Sequence, residues 1–206
     1  MSDCGCNTTA PNDTERRILR IALGLNATMF IVGTVAGLIA QSMGLIADSL
    51  DMLADAIAYG IGLAAVSRPA QFKALAAKIS GIVLFILGIG VLLGVAWHLV
   101  VGNHPEGYWM IGVAFFALLV NSTVLMLLNR FRHGEVHLRA TWLFTRVDVI
   151  ANLAVIVSGA LVVVLRSPVP DWVIGAIIAV YILKEATEIL QEAREARTAA
   201  TSKPTR

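Results

Sequence analysis

Six apolar runs divide the chain, from about Ile18 to Ala40, Gly44 to Val66, Ile79 to Val101, Tyr108 to Asn129, Ala140 to Leu165 and Trp172 to Ile189. Each is long enough to cross roughly 30 Å of hydrocarbon as an α-helix. The pattern predicts an all-α integral membrane protein with six transmembrane helices. The connection around Ala40 to Met43 is so short that the first two helices must form an antiparallel hairpin. The polar stretches leave no room for a second folded domain. They define an N-terminal tail over 1–17, a six-helix transmembrane domain over 18–190 and a short C-terminal tail over 191–206.

Composition agrees with a bilayer environment. Of 206 residues, 57% are hydrophobic and 15% charged, and the mean hydropathy is +0.77, which excludes an ordinary soluble domain. A net charge of +2, spread over short clusters, gives no basic surface for nucleic acid. Those clusters report topology instead. Arg16, Arg17 and Arg20 precede the first helix, Arg68, Lys73 and Lys78 lie between the second and third, and Arg130, Arg132 and Arg139 lie between the fourth and fifth. Lys184, Arg194, Arg197, Lys203 and Arg206 gather at the C-terminal end, whereas the opposite connections hold only Arg166. The positive-inside rule then places both termini in the cytoplasm, with Tyr108, Trp109 and Trp172 at the other interface. The opening residues lack the features of a secretory signal peptide, so the mature chain is expected to keep them. The expected location is a cell membrane, crossed several times, and specifically a bacterial inner membrane.

The second and fifth runs break the apolar pattern. The stretch GLIADSLDMLADAIAYG carries Asp48, Asp51 and Asp55. A carboxylate at the centre of a spanning helix costs roughly 2.5 to 3.5 kcal/mol on insertion scales, so three impose on the order of 10 kcal/mol. Asp51 and Asp55 stand four residues apart and share one helical face, with Asp48 one turn earlier on a neighbouring part of it. Two carboxylates so placed repel unless a proton or cation lies between them. A divalent ion is the simplest partner. On the fifth run Asp148 and Asn152 repeat the four-residue spacing and can present oxygens across a bundle core. Asn26, in LGLNATMF on the first run, is a further oxygen donor at membrane depth.

With ADSLDMLAD on the second helix and TRVDVIAN followed by LAVIVSG on the fifth, the chain resembles the cation diffusion facilitator family over all six helices. The resemblance implies a homodimeric, proton-coupled exporter of divalent metal cations, with both termini cytoplasmic and a metal site on the second and fifth helices. It carries Asp51, Asp55 and Asp148 over as ligands. One turn before Asp148 the family commonly has His, and this chain has Phe144. The fourth ligand therefore stays open among Asn152, Asn26, Asp48 and water. Without imidazole the site is hard and suits manganese, iron or cobalt, while zinc, the first choice from the family, and cadmium can still use it. The resemblance further implies a short member lacking the cytoplasmic C-terminal domain, so that membrane helices, loops or tails hold the dimer.

Competing readings attach to most of these residues. The aspartates can form a structural network neutralised by protons or by Arg146, although Arg146 lies two positions from Asp148 and points away from it. Asp48 reads equally as ligand, proton relay or packing hydrogen bond, and Asn152 and Asn26 as ligands or interhelical hydrogen bonds. Cys4 and Cys6, with His133 and His137, offer a capture point but read more simply as solvated segments. His98 and His104 near the outer face offer a release point. Gly33 with Gly37 and Gly90 with Gly94 are G-x-x-x-G pairs for close helix contact, within or between subunits.

The expected substrate is thus a divalent metal ion, exchanged for protons, with no prosthetic group. The alternative is a membrane metal-binding sensor or accessory protein that does not transport. An enzyme is disfavoured, since no nucleophile with a base, phosphate-cradling loop or H-E-x-x-H motif occurs. A proton channel would show flux independent of metal.

Overall fold

The structure, a computed structural model, describes residues 13–64, 70–128 and 136–201, with side chains over 16–63, 74–128 and 145–195. These residues form six helices: α1 (Asp13–Ile39), α2 (Met43–Ala64), α3 (Ala70–Val101), α4 (Gly107–Leu128), α5 (Val136–Leu165) and α6 (Val169–Thr201). Four segments, Arg16–Ile39, Ala74–Val101, Gly107–Leu128 and Thr145–Leu165, are long and apolar enough to cross a membrane. The other two helices carry the acidic residues that lower their hydropathy, Asp48, Asp51 and Asp55 on α2 and Asp171, Glu185 and Glu188 on α6.

The helices outrun the apolar runs. Helix α3 begins at Ala70 rather than Ile79, and α6 continues to Thr201 through most of the segment read as a tail. The added turns are rich in Ala, Lys, Gln, Glu and Arg, all strong helix formers. Hydropathy marks the part of a helix that meets hydrocarbon, not where its backbone pattern ends.

Sequence dictates the α1–α2 hairpin. Gln41 takes a left-handed φ of 52°, and Ser42 N closes back on Gly37 O at 2.9 Å, a Schellman-type helix end. Close approach follows because a Cβ on Gly33 would meet Ser49 Cβ at 3.0 Å and one on Gly37 would meet Ile46 Cγ1 at 2.8 Å. This pair of glycines therefore makes a contact within one chain. The second pair divides: a Cβ on Gly94 would meet Met43 Sδ at 2.9 Å, whereas Gly90 faces open space.

Helix α2 runs through the centre. Its Leu45, Ala47, Leu50 and Ala54 join Leu84 and Val91 of α3, Met110 and Ala114 of α4, Val155 of α5 and Ile178 and Ile182 of α6 in the main buried cluster. The outer surface is the reverse, with Ile31, Leu38, Phe116, Met126, Val164 and Val180 exposed. So broad an apolar face is unfavourable against water and suits acyl chains.

At one end of the bundle α6 clasps α2. Asp171 accepts from Ser42 Oγ at 2.6 Å, from Met43 N at 2.8 Å and from Gly44 N at 2.9 Å. Ser42 Oγ in turn accepts from Leu45 N at 3.1 Å. The first amides of α2, which no helix can satisfy internally, are thus met by a carboxylate from another helix. This clasp starts α2 and α6 side by side and fixes the depth at which the α2 aspartates lie.

Candidate metal site

Helices α2 and α5 run antiparallel and pair their polar residues in a ladder. At one rung Asn152 Nδ2 donates to Asp48 Oδ1 at 2.6 Å. Further along, Tyr59 Oη and Thr145 Oγ1 lie 3.1 Å apart. Asp148, between Thr145 and Asn152, must then fall level with Asp51 and Asp55, and it is in hydrogen-bond contact with both. Tyr59 Oη also donates to Asp55 Oδ2 at 3.3 Å. The four-residue spacing read from sequence thus becomes one polar seam between two helices.

The seam is enclosed. Asp48, Asp51, Asp55 and Asp148 are each 9% exposed or less, and Asn152 is 1% exposed. A hydrogen bond between two carboxyls needs a proton on one of them, because ionised oxygens only accept. Carboxyls packed this closely call for a proton or a cation among their oxygens. Asp148 Oδ2 is buried without a hydrogen-bond partner, an acceptor left over inside the seam. Among the described residues, no three or more His, Cys, Asp or Glu side chains already stand in a geometry that encloses an ion.

The remaining sequence candidates divide. Asn152 lies in the seam, but its Oδ1 accepts from Asn121 Nδ2 at 3.0 Å while its nitrogen serves Asp48. Asp48 and Asn152 therefore form a polar bridge from α2 through α5 to α4. Asn26 is fully buried and donates to Ala22 O at 3.0 Å, with its Oδ1 unpartnered. The contacts Gly33–Ser49 and Leu23–Gly60 set the α1–α2 register and place Asn26 at the depth of Asp55.

Arg146 is exposed on α5 while Asp148 is buried, in keeping with their pointing apart. His104 is exposed, and half-buried His98 lies in electrostatic range of Asp171 at the clasp, away from the seam. Cys4, Cys6 and His133, and the side chains of His137 and Phe144, fall outside the described residues.

Sequence reasoning missed Asn121, Tyr59, Thr145 and Glu185. Tyr59 was legible, since it stands four residues after Asp55 on the same face. Asn121 was visible as a lone amide in apolar α4. Nothing in sequence paired either with α5. Half-buried Glu185 of α6 lies in electrostatic range of Asp51 and Asp55.

A membrane-crossing helical bundle with carboxyls from two central helices gathered in its interior defines a multi-pass membrane protein with a buried acidic site. Residues 19–196 match the model of the cation efflux transmembrane domain, and the chain belongs to that family. It is similar to the metal cation efflux system protein CzcD of Cupriavidus metallidurans, with 27% identity over 165 residues covering 74% of this chain and 52% of that protein. The cation efflux system protein CzcD of an Alcaligenes species matches with the same 27% identity and coverage. The chain spans about half the length of these curated relatives.

Proposed function

We propose that this protein exports divalent metal ions from the cytoplasm in exchange for protons, with Asp51, Asp55 and Asp148 as the ligands. The observation that carries the reading is the contact of Asp148 on α5 with both Asp51 and Asp55 on α2 inside a buried seam. Carboxyls gathered at membrane depth mark ion or proton pathways by default. Family membership supports metal cation efflux in particular, and both relatives are named for cation efflux.

The chemistry gives exchange a physical basis. The carboxyl contacts require protons when no ion is bound, and an arriving dication replaces those protons as the positive charge among the oxygens. A site open to the cytoplasm loads metal and releases protons. Turned outward, the same site takes protons and loses metal. An inward proton gradient makes the cycle directional. All six helices span the bilayer in this reading, with both termini cytoplasmic and two copies forming the working unit. Zinc is the first substrate to test, followed by cadmium, manganese, iron and cobalt.

Metal uptake into inverted membrane vesicles should collapse in Asp51→Ala and in Asp148→Ala while both variants remain folded. Uptake at the wild-type rate in both would end the assignment.

A further inference from the structure

Two rungs pin α2 to α5, one on either side of the clustered carboxyls. At one end Asn152 Nδ2 reaches Asp48 Oδ1 across 2.6 Å, and Asn121 on α4 backs that amide across 3.0 Å. At the other end the hydroxyls of Tyr59 and Thr145 lie 3.1 Å apart, and Tyr59 Oη reaches on to Asp55 Oδ2 at 3.3 Å. With both rungs made, the acidic side chains among the described residues do not stand where they could hold an ion. Admitting an ion between α2 and α5 therefore needs one rung to part. The hydroxyl rung is the one to give, because it is the longer and joins two groups that turn about single bonds. Tyr59 Oη has a single hydrogen, and it goes to Asp55. The contact with Thr145 can thus part without costing Asp55 its donor.

The place of this rung makes it a door. Tyr59 is 2% exposed, and Gly60, Ile61, Gly62 and Leu63 after it are half-buried or exposed, so it is the last buried side chain of α2 among the described residues. Its ring belongs to a buried cluster with Ile18 and Ala22 of α1 and Val124 and Leu128 of α4. Helices α1, α2, α4 and α5 thus meet at one phenol, a turn beyond Asp55. Just past it, a Cβ on Gly62 would meet nothing within 4 Å. The ring caps the seam where the buried part of α2 ends and the open part begins.

We propose that Tyr59 is a gate on the seam at the C-terminal end of α2, closed by its contact with Thr145 and opened when that contact parts to let a divalent ion reach or leave Asp55. This rests on the metal-export reading above, under which this end faces the cytoplasm. Tyr59 acts through Asp55 and Thr145 and is a positioning residue, not a ligand. A gate sets the barrier between site and solvent, so it changes entry and release together and leaves the balance between them nearly alone.

The test uses the full chain in lipid nanodiscs. Stopped-flow mixing with Zn2+ reads entry, mixing of the loaded protein with a fluorescent chelator reads release, and calorimetry reads affinity. Thr145→Val keeps the shape of the side chain and loses its hydroxyl. It is expected to raise entry and release by the same factor, about three- to tenfold as for one lost hydrogen bond, while affinity stays within about twofold. Tyr59→Phe should be at least as fast, adding Thr145→Val to it should bring no further gain, and Thr145→Ser should return wild-type rates. Helicity and elution identify the folded variants, and Thr145→Val carries the test by itself where Tyr59→Phe fails to fold. Wild-type rates in the folded variants, with zinc binding lost in Asp51→Ala, would overturn the gate and leave the export reading intact. Faster release without faster entry would mean that the hydroxyls hold the ion rather than the door, and would overturn it too. Wild-type binding in Asp51→Ala would remove the site and the gate with it.

Discussion

Asn152 gives its amide hydrogen to Asp48 across 2.6 Å while its oxygen is taken by Asn121 across 3.0 Å. Asp48 Oδ1 accepts this bond, so the amide nitrogen of Asn152 faces α2 and its oxygen faces α4. The four-residue repeat of Asp148 and Asn152 therefore splits into two roles, a carboxyl beside Asp51 and Asp55 and an amide that ties three helices together.

Asn152→Leu should accordingly act on stability more than on metal. It leaves Asp48 and Asn121 without partners inside the bundle, at a cost of about 1–2 kcal/mol. Thermal unfolding in detergent should show a lowered midpoint, while zinc affinity stays within a few-fold of wild type. Lost binding at an unchanged midpoint would return Asn152 to the ligand set.

Single neutralisations within the seam should separate charge repulsion from ion binding. Asp55→Asn removes one of the crowded carboxyls, so the metal-free protein is expected to be at least as stable as wild type. The gain on adding metal, about 2.7 kcal/mol at a hundredfold excess over the dissociation constant, should disappear. Melting curves with and without Zn2+ check both halves. A full metal-dependent gain in Asp55→Asn would place the ion elsewhere.

The seam was legible because carboxyls in an apolar run conflict with their surroundings, and the four-residue spacing of Asp51 and Asp55 survives on any straight helix. The depth match between Asp148 and that pair was not legible. It depends on the antiparallel register of α2 and α5, which Asp48–Asn152 and Tyr59–Thr145 set through contacts far apart in sequence. Glycine spacing likewise announced close packing without saying which helices would meet.

The two glycine pairs now make opposite predictions. A side chain at Gly37 meets Ile46 Cγ1 at 2.8 Å and Ile46 N at 3.0 Å, and the backbone contact cannot move aside. Gly37→Leu should pry α1 from α2, with a stability loss of about 1–3 kcal/mol or failure to fold. Gly90 has nothing within 4 Å, so Gly90→Ala should leave the monomer's melting midpoint unchanged or slightly raised. Equal losses in both would contradict the α1–α2 contact as the reason for the first pair. A fall in Gly90→Ala confined to the oligomeric state, read by light scattering in detergent, would assign that open glycine to a subunit interface.

The Asp171 clasp should rank three substitutions in a fixed order. Asp171 alone serves Ser42 Oγ, Met43 N and Gly44 N, so Asp171→Ala strands three donors at a helix start and removes a negative charge from the positive end of α2. Asp171→Asn keeps one acceptor oxygen but turns an amide nitrogen toward donors. Ser42→Ala loses the hydroxyl and its bond from Leu45 N, yet leaves both backbone amides bonded to the carboxylate. Stability should therefore fall most in Asp171→Ala, less in Asp171→Asn and least in Ser42→Ala, by about 0.5–2 kcal/mol in the last case as for other lost caps. Zinc titration of the folded variants adds a second readout, because the clasp sets the depth of α2 against α6. Loosening Asp171 should weaken binding by shifting the helix that carries Asp51 and Asp55, even though Asp171 is far from the seam in sequence. Full zinc affinity in a destabilised but folded Asp171→Asn would mean that the clasp holds the fold without setting the site.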